Sequence, residues 1–266
     1  MYRTASLVVA AAAVTVSATP ALAGNVRTLD LEGLAHGTIA NRLDLDGVRI
    51  SADNFNNDLD LAVVFDTRAR HTADRDLEDR YGWKAGNLRG ERGTVGNVLI
   101  LQEKNRNTRV VDHGTRINRP DDEGKRPAGE LYFDFEREID SFGFDLIDVE
   151  GTEEFRNRSG FFATFTRLAT TVSVSFAELI NPVSPFYDAT VRFGDNSANR
   201  IRPITAAQLG LDGFDNVTIN LGGSGAVGNI SYTPVDTPPA AVPTPSAAVA
   251  GLGLLGLLSS RRRRQS

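Results

Sequence analysis

The sequence predicts an all-β fold, a two-sheet jelly-roll-like β-sandwich, flanked by an N-terminal signal peptide and a short C-terminal hydrophobic helix. Several segments alternate apolar and polar side chains, which is typical of strands with one buried face. Two short segments are continuously apolar, as expected for strands buried on both faces. Loops rich in Asp, Asn, Gly and Arg separate these segments, and no long stretch has the 3.6-residue period of a helix.

The individual strands follow from these patterns. Residues 130–136 place Leu131, Phe133 and Phe135 on one face, and residues 170–176 alternate in the same way. The other predicted strands are the continuously apolar segments 61–65 and 97–101, and the segments 142–149, 161–165, 189–193, 217–221 and 228–232; one helical turn is predicted at 205–209.

Residues 1–23 are predicted to form a signal peptide. Arg3 supplies a positive charge, residues 7–16 are apolar or small, and Ala21 and Ala23 form the small-x-small pattern that signal peptidase cleaves. The apolar run is shorter than the roughly 20 residues of a membrane span. We therefore expect cleavage after Ala23 and export of the chain.

The C-terminus carries a second targeting pattern, made of a Pro-x-Pro motif, an apolar segment and a basic cluster. Residues 247–258 contain only Ala, Val, Gly and Leu, and as a helix they would span roughly 20 Å of the roughly 30 Å hydrocarbon core. The arginines that follow should stay cytoplasmic, which places the body across the membrane. The motif residues are Val242, Pro243, Thr244, Pro245, Arg261, Arg262, Arg263 and Arg264.

These three parts, in this order at the end of the chain, resemble a PEP-CTERM sorting signal. The usual motif of that family is Val-Pro-Glu-Pro, and Thr244 stands here in place of the glutamate. The resemblance implies processing by an exosortase, a membrane transpeptidase similar to cysteine proteases. It also implies a Gram-negative, often exopolysaccharide-producing bacterium. The chain would pass through the periplasm, with transient membrane anchoring at its C-terminus, to the cell surface or extracellular matrix.

The two signals leave one domain between them. Residues 24–233 are predicted to form the sandwich, residues 234–241 a Pro-rich linker and residues 242–266 the sorting signal. The chain contains no cysteine. Because disulfides are therefore excluded, an exported body of this kind must be held by its core or by metal.

The charge of the body limits its partners. The chain has a formal net charge of −5, and Arg3 with Arg261–Arg264 contribute five positive charges, so the body between the signals carries about −10. Nucleic-acid binding requires Lys and Arg to neutralise phosphates, so we do not expect it. Carboxylate oxygens are ligands that Ca²⁺ prefers, so calcium is the one cofactor that the composition favours.

The body is also similar to exported jelly-roll domains that precede PEP-CTERM tails. That similarity points towards carbohydrate-binding modules, although a fold does not fix a function. The segments that carry the similarity, in chain order, are Leu29–Leu34 with Gly37 and Thr38, Gly47–Ser51, Val64–Asp66, Asp74–Leu77, Gly96–Ile100, Ser141–Asp148 and Gly222–Asn229.

Two groups of oxygen-bearing residues are candidate calcium ligands. The first is the loop after the apolar strand 61–65, with Asp66, Asp74 and Asp76, to which Glu103 adds a fourth carboxylate if the strands are neighbours. Arginines in the same loop could instead pair with these carboxylates.

The second candidate calcium site joins the first and last strands. It takes Asp30 and Glu32 from the start of the body and Asn229 from its end. The related domains have Asp-Asn where this chain has Gly228 and Asn229, so the carboxylate of that pair is missing here. Asn229 offers only a neutral oxygen.

Tyr81 and Trp83 are the candidate ligand-binding aromatics. A Tyr-Trp pair in a loop can stack on a sugar ring, but Trp83 can equally cap the end of the hydrophobic core, and large aromatic side chains are usually buried. We favour the core position for Trp83.

No catalytic residue is assigned. The chain lacks cysteine and a Gly-x-Ser-x-Gly motif, and its three histidines are dispersed. Asp145, Asp148 and Glu150 share one segment and leave open glycoside hydrolysis by a pair of carboxyl groups.

The sequence therefore predicts an exported, non-enzymatic protein of the cell surface or extracellular matrix, structural or associated with exopolysaccharide. A calcium-dependent carbohydrate-binding module and an extracellular glycoside hydrolase are the alternatives. The expected partners are signal peptidase, an exosortase-like enzyme, the membrane through the C-terminal helix before processing, and extracellular polysaccharide.

Overall fold

The computed structural model describes residues 25–150, 160 and 162–235, and they form an all-β structure with one large antiparallel sheet. The strands are β1 (Arg27–Thr28), β2 (Asp44–Leu45), β3 (Val48–Asn54), β4 (Ala62–Asp66), β5 (Asn97–Leu101), β6 (Val110–Val111), β7 (Arg116–Ile117), β8 (Gly129–Ile147), β9 (Phe162–Arg167), β10 (Thr170–Ser175), β11 (Ala198–Thr205), β12 (Phe214–Leu221) and β13 (Ala226–Pro234). Two short helices are α1 (Phe176–Leu179) and α2 (Ala206–Leu209), and 3-10 turns lie at Ala40–Arg42, Asp79–Tyr81 and Asp112–Gly114.

Strand β8 is 19 residues long and organises the large sheet. Its first part, 129–139, pairs with β3 on one side and β12 on the other. Its second part, 141–147, pairs with β11 and β13. The sheet then continues from β12 to β9 and β10, and from β13 to β5 and β4. One continuous strand thus joins two groups of strands that otherwise pair separately.

Bulges interrupt the strands that flank β8. The register shifts between Ile201 and Ile204 of β11, between Phe214 and Asn216 of β12, and between Gly228 and Ser231 of β13. Bulges bend and twist a strand locally. The bulges of β11 and β13 lie opposite 142–145 in the second part of β8, and the bulge of β12 lies opposite 134–139 in its first part, so they occur on both sides of the passage from one group of strands to the other.

Two hydrophobic clusters hold the sheet. The larger one contains side chains from both groups of strands, such as Ile50 and Phe133 from the first and Phe144 and Ile230 from the second. The smaller cluster covers the opposite face of β4 and β5, where the long loop 67–96 packs its apolar side chains. Strands β4 and β5 are consequently buried on both faces, which explains their continuously apolar sequences.

The structure confirms most of the predicted strands and differs from the prediction at two places. The predicted strands 130–136 and 142–149 are parts of the single strand β8. The predicted strand 189–193 is wrong: Asp188 Oδ1 accepts hydrogen bonds from the backbone N–H of Thr190 at 2.8 Å and its hydroxyl at 2.6 Å, and this local turn replaces strand pairing.

The targeting segments lie outside the described residues. This applies to the predicted signal peptide 1–23, to 236–241 of the predicted linker, and to the sorting signal 242–266. Strand β13 extends to Pro234, which is the first residue of the predicted linker. Within the described part of the chain, no helix has both the length and the apolarity that a membrane span requires.

Replacing Phe142 tests how strongly the junction within β8 contributes to stability. The Phe142 ring is fully buried, with its centroid 5.6 Å from those of Phe133 and Phe144, so it contacts both parts of β8. We expect Phe142→Ala to lower the free energy of unfolding by about 3–5 kcal/mol, measured by urea denaturation. Leu168→Ala, at a side chain that is 84% exposed, should change it by less than about 0.5 kcal/mol. Equal losses for the two variants would contradict this account.

Candidate functional site

Three buried carboxyl groups meet at the end of the sheet where β8 finishes and β13 begins. Asp74 comes from the loop after β4, Asp122 from the segment between β7 and β8, and Asp148 directly follows β8. Their exposed fractions are 9%, 8% and 3%. We call these three residues the buried acidic cluster.

Backbone and hydroxyl donors satisfy part of the cluster. Asp122 Oδ2 accepts hydrogen bonds from the Ser224 hydroxyl and the Gly225 N–H, both at 2.7 Å. Ser224 Oγ also lies 3.3 Å from Asp148 Oδ2, so this hydroxyl connects the two carboxyl groups. The N–H of Asn196 donates to Asp148 Oδ1 at 2.7 Å.

Asp74 is satisfied on one oxygen only. Its Oδ1 accepts hydrogen bonds from the N–H groups of Asp76 at 3.0 Å and Leu77 at 3.4 Å. Its Oδ2 is buried, and no donor among the described residues forms a hydrogen bond to it. The carboxyl groups of Asp74 and Asp122 contact each other. An unsatisfied buried oxygen that belongs to a pair of acids is costly, and it calls for an explanation.

Burial raises the pKa of Asp122 and that of Asp148. The pKa of Asp122 lies well above its ordinary value because of desolvation and then because of the neighbouring Asp74. Desolvation, opposed by the hydrogen bond from Asn196, raises the pKa of Asp148 to about 7. Next to the cluster, desolvation and the charge of Glu103 raise the pKa of Asp121 to about 6. The site therefore concentrates acidic groups in a region of low polarity, which disfavours their charged form unless a cation compensates it.

Within the described part of the chain, no positive side chain pairs with the buried acidic cluster. Among the described residues, neither Asp74, Asp122 nor Asp148 forms an ion pair. The nearby cation Lys84 is exposed and bonds to Asp195 at 2.7 Å. Likewise, within residues 25–150, 160 and 162–235, no group of three or more His, Asp or Glu side chains has a metal-ligand arrangement.

A cleft of about 600 Å³ lies beside the buried acidic cluster, and the side chains that line it carry a net positive charge. The backbone oxygen of Asp76, which lines the cleft, accepts a hydrogen bond from the Asn196 side chain at 2.7 Å, so one residue joins the two features. Basic side chains outnumber the acidic ones in this cleft, which is lined by His71, Arg75, Arg80, Lys84 and Arg89 with Asp76, Glu78, Gly82, Trp83 and Asn196. We call it the basic cleft.

The structure separates the members of the first predicted calcium set. Asp66 Oδ1 accepts a hydrogen bond from Arg68 Nε at 2.8 Å, so this acid belongs to an ion pair. Glu103 Oε2 accepts a hydrogen bond from the Asn105 side chain at 3.0 Å. Asp76 is exposed at the basic cleft. Of this set, Asp74 alone belongs to the buried acidic cluster.

The second predicted set is brought together, but with an arginine among its members. Asp30, Glu32 and Asn229 line one cavity of about 370 Å³. Arg68 lies in the same cavity and pairs with Glu32 at 2.8 Å, and Asn229 donates to Asp145 at 3.3 Å. Among the described residues that line this cavity, the positively charged group is the guanidinium of Arg68.

Trp83 belongs to the core. Its side chain is 2% exposed and packs in the smaller hydrophobic cluster, so its ring face is not available to stack on a sugar. Its Nε1 atom is buried, and none of the described residues accepts a hydrogen bond from it. Tyr81 lies in the 3-10 turn Asp79–Tyr81, and its side chain lies outside the described part of the structure.

The acids considered for glycoside hydrolysis have other contacts. Asp145 accepts two hydrogen bonds from the guanidinium group of Arg200, both at 2.9 Å, and its side chain is 1% exposed. Glu150 pairs with Arg126 at 2.9 Å. Asp148 belongs to the buried acidic cluster.

Sequence reasoning did not identify Asp122 and Ser224. Ser224 lies 102 residues after Asp122 and 76 residues after Asp148, and no local motif contains them. The only indication was the acidic run Asp121–Glu123, which is a common surface pattern.

Comparison with known proteins gives no assignment. No protein-family model matches the chain, and no curated protein is significantly similar to it.

His36 provides a pH-dependent test of the contacts around Asp66. His36 Nδ1 accepts a hydrogen bond from the Asp66 N–H at 3.0 Å, and partial burial lowers the pKa of His36 below 6.5. A protonated imidazole cannot accept that bond, so its stabilisation is present above pH 6.5 and is lost as the pH falls further. We expect an NMR titration to give a midpoint for His36 below 6.5. His36→Asn, which keeps an acceptor that does not titrate, should remove this part of the pH dependence. A midpoint at or above 6.5 would contradict the geometry.

Proposed function

We propose that this chain is an exported, non-enzymatic protein of the cell surface or extracellular matrix that associates with acidic exopolysaccharide through the basic cleft. We further infer that its two groups of strands face each other as the layers of a jelly-roll-like β-sandwich. Side chains from both groups share the larger hydrophobic cluster, and this supports the layered arrangement.

The basic cleft is the observation that carries the glycan assignment. Arg75 and Arg89 are exposed at the cleft, and neither forms an ion pair within the part of the chain that the structure describes. Guanidinium groups bind carboxylates with two parallel hydrogen bonds, which suits the uronate units of an acidic polysaccharide.

The buried position of Trp83 favours a charged glycan over a neutral one. Neutral sugars usually bind through their apolar faces to exposed aromatic rings, and the ring of Trp83 is covered. Binding in this cleft would therefore rest on charge and hydrogen bonds. The body as a whole is acidic, so an anionic chain would be repelled elsewhere and held only at the cleft.

The export part of the proposal rests on the two targeting signals. Signal peptidase would remove residues 1–23, and an exosortase-like enzyme would process the segment from Val242 onwards. Between these steps the protein would be anchored in the membrane by its C-terminal helix.

Binding to a polyuronate tests the cleft. We expect the purified protein to bind polygalacturonate but not neutral dextran, measured by isothermal titration calorimetry at low salt. Arg75→Gln combined with Arg89→Gln should weaken binding about tenfold, because each exposed ion pair contributes up to about 1 kcal/mol. The combination Arg106→Gln with Arg109→Gln changes the charge equally at exposed residues outside the cleft, and it should leave binding intact. Equal binding of dextran, or equal losses in both double variants, would refute the glycan assignment.

Fractionation of the native host tests the export route. We expect the protein in the surface or matrix fraction. Its intact mass should correspond to a chain that starts at Gly24 and lacks Arg261–Arg264, because both signals are removed. A cytosolic protein that retains Met1 and Arg264 would show that the proposed route is wrong.

A further inference from the structure

We infer that a divalent cation, Ca²⁺ by its ligand chemistry, binds between Asp74 and Asp122 and fastens the loop 67–96 to the end of the sheet. This site differs from both calcium sets that the sequence predicts, because only Asp74 belongs to either of them. It stands independently of the glycan assignment.

The unpartnered oxygen of Asp74 is the first observation. Asp74 is only 9% exposed, and within the part of the chain that the structure describes its Oδ2 accepts no hydrogen bond, although Oδ1 accepts two. This carboxyl group contacts that of Asp122, which is equally buried. Two carboxylates that face each other without a donor between them repel, unless a cation or a proton lies between them.

The surrounding charges favour a cation over a proton. If all three are ionised, Asp74, Asp122 and Asp148 would together carry three negative charges, and among the described residues no side chain forms an ion pair with any of them. Beyond them, Asp76 and Asp121 are further acidic groups, whereas Glu150 pairs with Arg126 and Lys84 bonds to Asp195. For three ionised carboxylates, one shared proton would leave the cluster with a net charge of −2, whereas one divalent cation would leave it with a net charge of −1.

The available ligands are of the kind that Ca²⁺ takes. Two carboxylates from Asp74 and Asp122 and the hydroxyl of Ser224 are all oxygen ligands, and Ca²⁺ completes its shell with carbonyl groups and water in flexible geometry. Mg²⁺ requires a stricter octahedron and gives up its water reluctantly. A site with two carboxylates also agrees with the finding that, among the described residues, no three acidic or histidine side chains form a metal group.

The position of the ion gives it a structural role. The loop 67–96 begins after Asp66, the last residue of β4, which pairs with Asn97 at the start of β5. The loop crosses the face of β4 and β5 that the smaller hydrophobic cluster covers, and it brings Asp74 to the opposite end of these strands. Asp122 and Ser224 belong to two other connections at that end. A cation there joins three connections that no disulfide can join, because the chain contains no cysteine.

Calcium binding and thermal unfolding of the purified protein test this inference. After treatment with EDTA and its removal, we expect equilibrium dialysis to show one tightly bound Ca²⁺ per chain, and Ca²⁺ to raise the melting temperature. Asp122→Asn should weaken Ca²⁺ binding at least about tenfold, since it replaces a negatively charged carboxylate ligand with a neutral amide oxygen. In EDTA the same variant should melt at or above the temperature of the unaltered protein, because one repelling charge is removed.

Two further variants separate this site from the sets that the sequence predicts. Ser224→Ala should weaken Ca²⁺ binding and keeps the inference testable if Asp122→Asn fails to fold. Asp30→Asn, in the second set, should bind Ca²⁺ like the unaltered protein.

Three outcomes overturn the inference. The first is no binding of Ca²⁺ by the unaltered protein at millimolar concentration. The second is unchanged Ca²⁺ binding in both Asp122→Asn and Ser224→Ala. The third is stability that increases as the pH falls and does not respond to Ca²⁺, which would show that Asp74 and Asp122 share a proton.

Discussion

The backbone hydrogen bonds of strand β8 are the constraint on which the rest of the structure depends. Because β8 pairs with β3 and β12 along its first part and with β11 and β13 along its second, it fixes the register of both groups of strands. Its end also decides where the site lies. Ile147 pairs with Ala226, so Asp148 must lie beside Ser224 and Gly225. Strand β5 pairs with the same part of β13, and the bridge between Gln102 and Asp122 brings Asp122 to this end.

Much of the fold could be predicted because strand patterns are local. The continuously apolar segments at β4 and β5 and the alternating segments in β8 and β10 express burial directly in the sequence. The join within β8 could not be predicted, because Arg137 and Asp140 interrupt the apolar pattern where the strand passes between its two sets of partners. The failure at 189–193 has a different cause, since hydrogen bonds from Thr190 to the Asp188 side chain outweighed the apolar alternation.

The candidate site was largely beyond sequence reasoning, because its residues meet only through the pairing of distant strands. The sequence indicated Asp74 and the acidic character of its loop, but it grouped Asp74 with Asp66, which Arg68 holds elsewhere. It also grouped Asp30, Glu32 and Asn229, which line one cavity, but it could not show that Arg68 lines the same cavity. Composition indicates how much charge there is, whereas only the tertiary structure decides whether a carboxylate meets a guanidinium group or another carboxylate.

The loop 67–96 connects the two sites that we propose. Asp74 is buried against Asp122, while the next residue, Arg75, is exposed at the basic cleft. The loop also covers the outer face of β4 and β5 with Leu77 and Trp83, so its apolar contacts hold it over the sheet. Those contacts alone leave the far end of the loop facing uncompensated buried charge. Whatever neutralises Asp74 therefore also fixes the position of Arg75, and the electrostatics of the interior set the geometry of the surface cleft.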